Sequence, residues 1–251
     1  MNKASVKKEA LERLPKVAVE FAEGLTRHDI VKLLPGNNNV GIELGVAEGS
    51  FSSSLVRSGK FGQLFGADVY GDIHDTAEYK KAILNIGIGR PYKLLRLTFE
   101  DALELFPDDY FDFIYIDGFA HTGEEGGRTL VDWYPKLKVG GIMAGDDYHD
   151  NWPLVMWAVN HFVSQLRVPL TVTQIAGGDK YSLFPSWFIT KQTAMEAGTL
   201  SLDGRLIQVS ESERLRIHRM RTSRVWALRR RIFGGLRKIF RRRDSRHPGH
   251  P

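Results

Sequence analysis

Between residues 40 and 190, apolar runs of strand length alternate with segments of helical period, and nothing else in the chain restricts its fold so far. Strands are read at 40–44, 63–68, 92–97, 111–117 and 141–146, with helices between them at 50–57, 76–84, 99–106 and 124–134. Nearly continuous apolar strands suit burial on both faces, and strands joined through helices run parallel. A helix at 153–166 follows, then strands at 170–175 and 182–190 linked by Gly177-Gly178-Asp179, a link short enough to make that pair antiparallel. The expected fold is α/β: a Rossmann-like, seven-stranded, mostly parallel sheet with an antiparallel last strand and helices on both faces.

Two amphipathic helices are expected ahead of the first strand, at 10–21 and 30–34, the second closed by Pro35-Gly36. The organisation read from these elements is an N-terminal helical cap at 1–36, the α/β body at 37–190, a connector at 191–213 and a basic tail at 214–251. Charge divides at the same place. Residues 214–251 carry 14 Lys/Arg against the single Asp244, about +13, which leaves about −8 for the rest of a chain whose net charge is +5. The absence of cysteine excludes a disulfide scaffold, a thiolate metal site and a Cys nucleophile. No run of about 18 apolar residues is present, and the N-terminus lacks the apolar core of a secretory signal, so a cytoplasmic protein is expected.

The turn after the first strand reads VGIELGVAEGSF over residues 40–51. Gly45 and Gly49 flank Ala47, the spacing at which a strand turns sharply into a helix and its backbone approaches a ligand closely. The same glycines would serve a plain strand-to-helix turn. Two acids narrow the choice. Glu43, on the strand just before the turn, would repel a pyrophosphate and suit a cation, and the third glycine of the dinucleotide fingerprint is missing. Asp68 ends the second strand, where a carboxylate accepts hydrogen bonds from both ribose hydroxyls. A cationic nucleoside without phosphates fits this set, and S-adenosylmethionine is such a ligand. The residues resemble the class I S-adenosylmethionine-dependent methyltransferases over about residues 40–190. That resemblance implies that Glu43 and the turn of Gly45, Ala47 and Gly49 hold the methionine part, that Asp68 holds the ribose, and that Thr98, Phe99 and Glu100 border the adenine.

A second group of acids sits at the same sheet edge. The strand in FDFIYIDGFAH delivers Asp117, and the strand in GGIMAGDDYHD delivers Asp146 and Asp147. Three carboxylates together need a shared proton or a cation, and Mg²⁺ takes such oxygen ligands. The alternative is that Asp117 caps the next helix and one of the adjacent pair faces solvent. The stretch from Ile116 to His149 resembles the metal-dependent O-methyltransferases of the macrocin and novobiocin type, which methylate sugar hydroxyls. The resemblance implies Asp117, Asp146 and Asp147 as metal ligands, and it places His121 on the histidine of the family's IDG-x-x-H string. Gly123 stands where that family usually has an aromatic residue. A metal would lower the pKa of the acceptor hydroxyl, and proton removal would fall to His121, His149 or an aspartate such as Asp117.

The tail places Val225, Leu228, Ile232, Leu236 and Ile239 on one side of a helix, with Trp226, Phe233 and Phe240 beside them and arginines on the other sides. That pattern suits peripheral attachment to an anionic membrane surface, on its inner face for a cytoplasmic enzyme, and a lipid-linked glycan acceptor would fit such a place. Nucleic acid is the competing polyanion, which would make the α/β body a mere scaffold, and a helix docked on the acidic body, or disorder, is the plain alternative for the tail. A metal-independent methyltransferase is the other alternative, and self-association is left open.

Overall fold

The computed structural model describes residues 3–71, 75–175, 183–195 and 198–222. The elements in chain order are α1 (Lys3–Glu12), β1 (Val19–Ala22), β2 (Asn39–Leu44), α2 (Ser50–Arg57), β3 (Phe61–Ala67), α3 (Thr76–Ile86), β4 (Tyr92–Leu95) and α4 (Phe99–Leu103). They continue with β5 (Phe111–Ile116), α5 (Arg128–Trp133), β6 (Leu137–Gly145), α6 (Pro153–Leu166), β7 (Leu170–Thr173), β8 (Trp187–Thr190) and α7 (Gly204–Thr222). Short 3-10 turns lie at Ile30–Leu33, Ala120–Thr122 and Tyr134–Lys136.

The strands form one sheet in the order β1-β7-β8-β6-β5-β2-β3-β4. β8 runs antiparallel to both of its neighbours, and every other pairing is parallel. The parallel α/β sheet with an antiparallel β8 matches the expected fold, with one strand more than the expected seven. The extra strand is β1. Residues 10–21 were expected as one helix, but α1 stops at Glu12, ahead of Pro15, which cannot continue it. Val17, Val19 and Phe21 then alternate with period two, and β1 pairs in parallel with β7. The expected helix at 124–134 also breaks: Glu124 and Glu125 are left-handed, at φ 53° and 55°, and α5 begins only at Arg128.

Apolar residues fill both faces of the sheet. Ile114, Ile116 and Met143 pack with Trp133, Trp157 and Phe162 under α5 and α6. Phe113, Tyr115 and Ile142 pack with Phe51, Leu55 and Ile30 on the other side. Phe111 and Phe113, two residues apart, pack in different clusters, and the β5–β6 register shifts between them. α7 runs across the boundary drawn at residue 213, so the stretch expected as a connector is partly helix. It docks on the body through buried Leu206 and Val209, through a Ser210 hydroxyl bonded to the Thr122 carbonyl, and through an Arg205–Glu9 ion pair. The turn at 177–179 and the amphipathic tail residues from Val225 to Phe240 lie outside the described residues. Among the described residues no helix is long and apolar enough to cross a membrane.

Candidate methyl-donor and acceptor site

β2 lies between β3 and β5, where the strand order reverses, and a crevice opens beyond the carboxyl ends of these strands. The chain leaves β2 through Gly45 at φ 96°, where a Cβ would collide with the Asp117 carbonyl oxygen and leave the Gly118 Cα only 3.0 Å away. No other residue type fits this turn. Ala47 follows in the left-handed region at φ 48°, and the turn is held from across the crevice. The buried Asp68 carboxylate accepts from the Val46 N–H at 3.0 Å and the Ala47 N–H at 2.9 Å with one oxygen, and from the Tyr70 N–H at 3.2 Å with the other. A carboxylate has about four lone-pair positions, so Asp68 keeps acceptor capacity toward the crevice.

A cavity of about 400 Å³ occupies this crevice. It brings together Gly45, Ala47, Asp68, Thr98, Phe99 and Asp117 of the expected set, and His121 besides. Thr98 caps α4 by accepting from the Asp101 N–H, and Phe99 meets Phe119 edge to face at 4.9 Å. Three expected donor contacts do not line it. Gly49 packs behind the turn against Ala82, Glu100 points to solvent in the first turn of α4, and Glu43 is buried beneath the turn. Glu43 accepts from the Ser52 hydroxyl, and burial pushes its pKa up to about 8 against that bond and the charge of Arg27. Sequence reasoning passed over Phe119, Thr122 and the wall supplied by α7, where Arg214, Ile217 and His218 face the cavity. The pattern that could have revealed that wall is Leu206, Val209, Ser210 and Glu213, a buried row at helical spacing in the stretch read as a connector.

The three expected metal ligands sit at the same edge but do not form an ion cage. Arg27, 2% exposed, places Nη1 at 2.7 Å from Asp146 Oδ2 and Nη2 at 3.3 Å from Asp117 Oδ2. The other Asp146 oxygen accepts from the Ser186 hydroxyl at 2.9 Å. Mg²⁺ needs oxygens at about 2.0–2.1 Å in an octahedral shell, while both Asp146 oxygens are engaged and a guanidinium lies where the ion would bridge. The donor set therefore does not fit the expected Mg²⁺. Among the described residues no group of three or more His, Cys, Asp or Glu is arranged to hold a metal. Burial, and then Asp146, push Asp117 above the ordinary carboxylate range against the pull of Arg27. Burial and Asp146 likewise push Asp147, left-handed at φ 63°, up to about 7. Burial alone would lower Arg27, but the facing Tyr115, Asp117 and Asp146 outweigh it and hold the guanidinium charged.

The two candidate histidines part company. His121 lines this cavity and also a smaller pocket beyond it, with its ring edge to face on Trp152 at 4.7 Å. Burial and the cations Arg221, Lys3 and Arg216 lower its pKa, so the ring is neutral at pH 7. His149 stands apart from the cavity, against Phe184 at 4.9 Å, and takes the Asn151 N–H on Nδ1. Gly123 lies so close to α6 that a Cβ would meet the Leu154 carbonyl.

Comparison with known proteins agrees with this geometry. Residues 42–148 match the family described as a methyltransferase domain. No curated protein matches the chain. A solved Klebsiella pneumoniae protein, provisionally assigned as an O-methyltransferase, is 17% identical with a TM-score of 0.50 over 75% of this chain and 90% of its own. Cofactor-bound Rv0187 from MTB is 14% identical with a TM-score of 0.50 over 76% and 89%. Spermidine synthase from Thermotoga maritima is 14% identical with a TM-score of 0.50 over 71% of this chain and 61% of its own. At such identities these likenesses speak to the fold. These likenesses agree on a Rossmann-like fold, and the family match over the strands and turns that build the cavity makes residues 42–148 similar to a methyltransferase domain.

Proposed function

We propose that the chain transfers the methyl group of S-adenosylmethionine to a hydroxyl oxygen of a small-molecule acceptor, a sugar, a glycolipid or a related compound. The observation that carries this reading is one cavity reaching from Asp68, past Gly45 and Asp117, to His121. In this reading the ribose hydroxyls donate to Asp68, and the adenine lies against Phe99 and Phe119. The sulfonium faces the Asp117 end of the cavity, where carboxyl oxygens suit a cation better than the neutral product. The acceptor oxygen attacks the methyl carbon in line with the sulfur, the C–S bond breaks, and S-adenosylhomocysteine leaves. His121, neutral and at the junction with the second pocket, takes the hydroxyl proton. His149 does not line the cavity and takes no part in this step.

The basic tail is proposed as a peripheral anchor on an anionic membrane, on the strength of its sequence, with nucleic acid as the alternative polyanion. The test of the reaction is to incubate the full chain with ¹³C-methyl-labelled donor and a panel of sugar, phenol, amine and carboxylate acceptors. An O-methyl carbon resonance on a sugar or other hydroxyl acceptor supports the reading. Label appearing only as N-methyl, C-methyl or methyl ester overturns it. Cosedimentation with phosphatidylserine vesicles, lost on deleting residues 223–251, tests the anchor.

A further inference from the structure

The feature that the methyltransferase reading leaves unexplained is a fully buried arginine among its carboxylates. We propose that the Arg27 guanidinium is the built-in counter-cation of Asp117 and Asp146, occupying the place where a divalent ion would otherwise bridge them, so that this site binds its donor without a metal. The inference rests on reading the cavity beside Asp117 as the donor site.

The local chain fixes Arg27 from both sides. β1 is followed by a turn at Gly24, and the Gln174 N–H donates to the Leu25 carbonyl at 2.8 Å, tying the segment to the end of β7. Asp29 then closes a second turn by accepting from the Thr26 N–H at 2.9 Å and the Thr26 hydroxyl at 2.7 Å. His28 meets Ser54 of α2 at 2.9 Å. Between these anchors the Arg27 side chain runs under the sheet edge. Its guanidinium carbon lies 4.0 Å from the centroid of Phe51 and 5.4 Å from that of Tyr115. Aromatic faces attract a desolvated cation, and the planar fork of arginine can serve two carboxylates where lysine offers one point charge.

The arrangement extends beyond a single ion pair. Asp146 is held on its far side by Ser186, and Ser186 in turn meets the Tyr115 hydroxyl at 3.0 Å. Arg27, Asp146, Ser186 and Tyr115 therefore form a closed polar group within the core, and Asp117, at 30% exposure, is its outlet to the cavity. A divalent ion entering here would meet a fixed positive charge within hydrogen-bond distance of its ligands. Two carboxyl groups share one guanidinium, and Asp117, the more exposed of them, faces the place proposed for the sulfonium. This gives the arginine a role in donor binding, as a positioning residue that holds Asp117 and Asp146 in place.

The experiment is a Mn²⁺ titration of the full chain with S-adenosylhomocysteine, followed by the electron paramagnetic resonance signal of free Mn²⁺, for the unmutated protein, Asp146→Asn, Arg27→Lys, Arg27→Met and Arg27→Met combined with Asp146→Asn. The unmutated protein and Arg27→Lys are expected to leave Mn²⁺ free. Arg27→Met is expected to take up one equivalent, lost again in the double variant. Calorimetric affinity for S-adenosylhomocysteine should be the same in EDTA and in MgCl₂. A Mn²⁺ ion bound by the unmutated protein and released by Asp146→Asn overturns the proposal, as does a folded Arg27→Met that binds none. Should Arg27→Met not fold, the unmutated protein and Asp146→Asn still decide. If S-adenosylhomocysteine fails to bind at all, the donor reading falls separately, and the Mn²⁺ arms still report on Arg27.

Discussion

Asp68→Asn separates the bracing of the glycine turn, which the structure shows, from the ribose contact proposed for the same carboxylate. The asparagine carbonyl can replace the oxygen that accepts from Val46 and Ala47, but its amide nitrogen then confronts the Tyr70 N–H, which Asp68 now satisfies at 3.2 Å. Hydrogen bonds to a charged group contribute about 1.5–3 kcal/mol and neutral ones about 0.5–1.5 kcal/mol. Two weakened bonds and one lost, offset by the easier burial of an amide, come to about 2–3 kcal/mol. In a chain of this size that lowers Tm by about 5–10 °C. For the donor, the loss of a charged acceptor to a ribose hydroxyl weakens S-adenosylhomocysteine by about tenfold to a hundredfold. Thermal unfolding and titration calorimetry on the same preparation read both effects. A folded variant that melts earlier yet binds S-adenosylhomocysteine as tightly as the unmutated protein refutes the ribose role and leaves Asp68 a brace alone.

Further outcomes follow from the same geometry. Gly45→Ala drives a methyl group into the Asp117 carbonyl at a positive φ, so donor affinity should vanish in calorimetry. His121→Asn should slow methyl transfer about a hundredfold or more while S-adenosylhomocysteine affinity stays within a factor of two or so. Leu206→Ala on buried α7 should cost about 2–5 kcal/mol in denaturant unfolding and loosen the cavity wall. The Glu43 pKa is raised to about 8 in the fold, so the folded state holds a proton that the unfolded chain releases near the ordinary value of 4.5. Stability from this group is complete below that value and falls as pH rises toward 8, by at most about 1.4 kcal/mol per unit. Glu43→Gln should flatten the fall of Tm with pH across that window.

The sheet was legible because its strands are buried on both faces and therefore read as continuous apolar runs bounded by turn residues, and α2 and α6 stand where their period places them. The start of the chain misled because the apolar residues after Pro15 change from period 3.6 to period two, and a window spanning both averages the signals. Asp68, Asp117 and the glycine turn were legible from their places at strand ends, where an open α/β sheet binds ligands. Arg27 was not, because a lone arginine in LTRHD carries no periodicity or spacing. Its meaning arises only when β1 and β7 fold the segment against β5 and β6, 90 and 119 residues away in sequence. The requirement was nonetheless visible: three carboxylates at one edge called for a shared proton or a cation, and Arg27 supplies a cation to two of them.

The most direct measurement is a crystal structure of the full chain grown with S-adenosylhomocysteine. The account predicts one molecule in the crevice beyond β2 and β3, with its ribose hydroxyls on Asp68, its adenine against Phe99 and Phe119, and its sulfur directed toward Asp117 and His121. A product bound elsewhere, or a crevice still empty at saturating concentration, would contradict it.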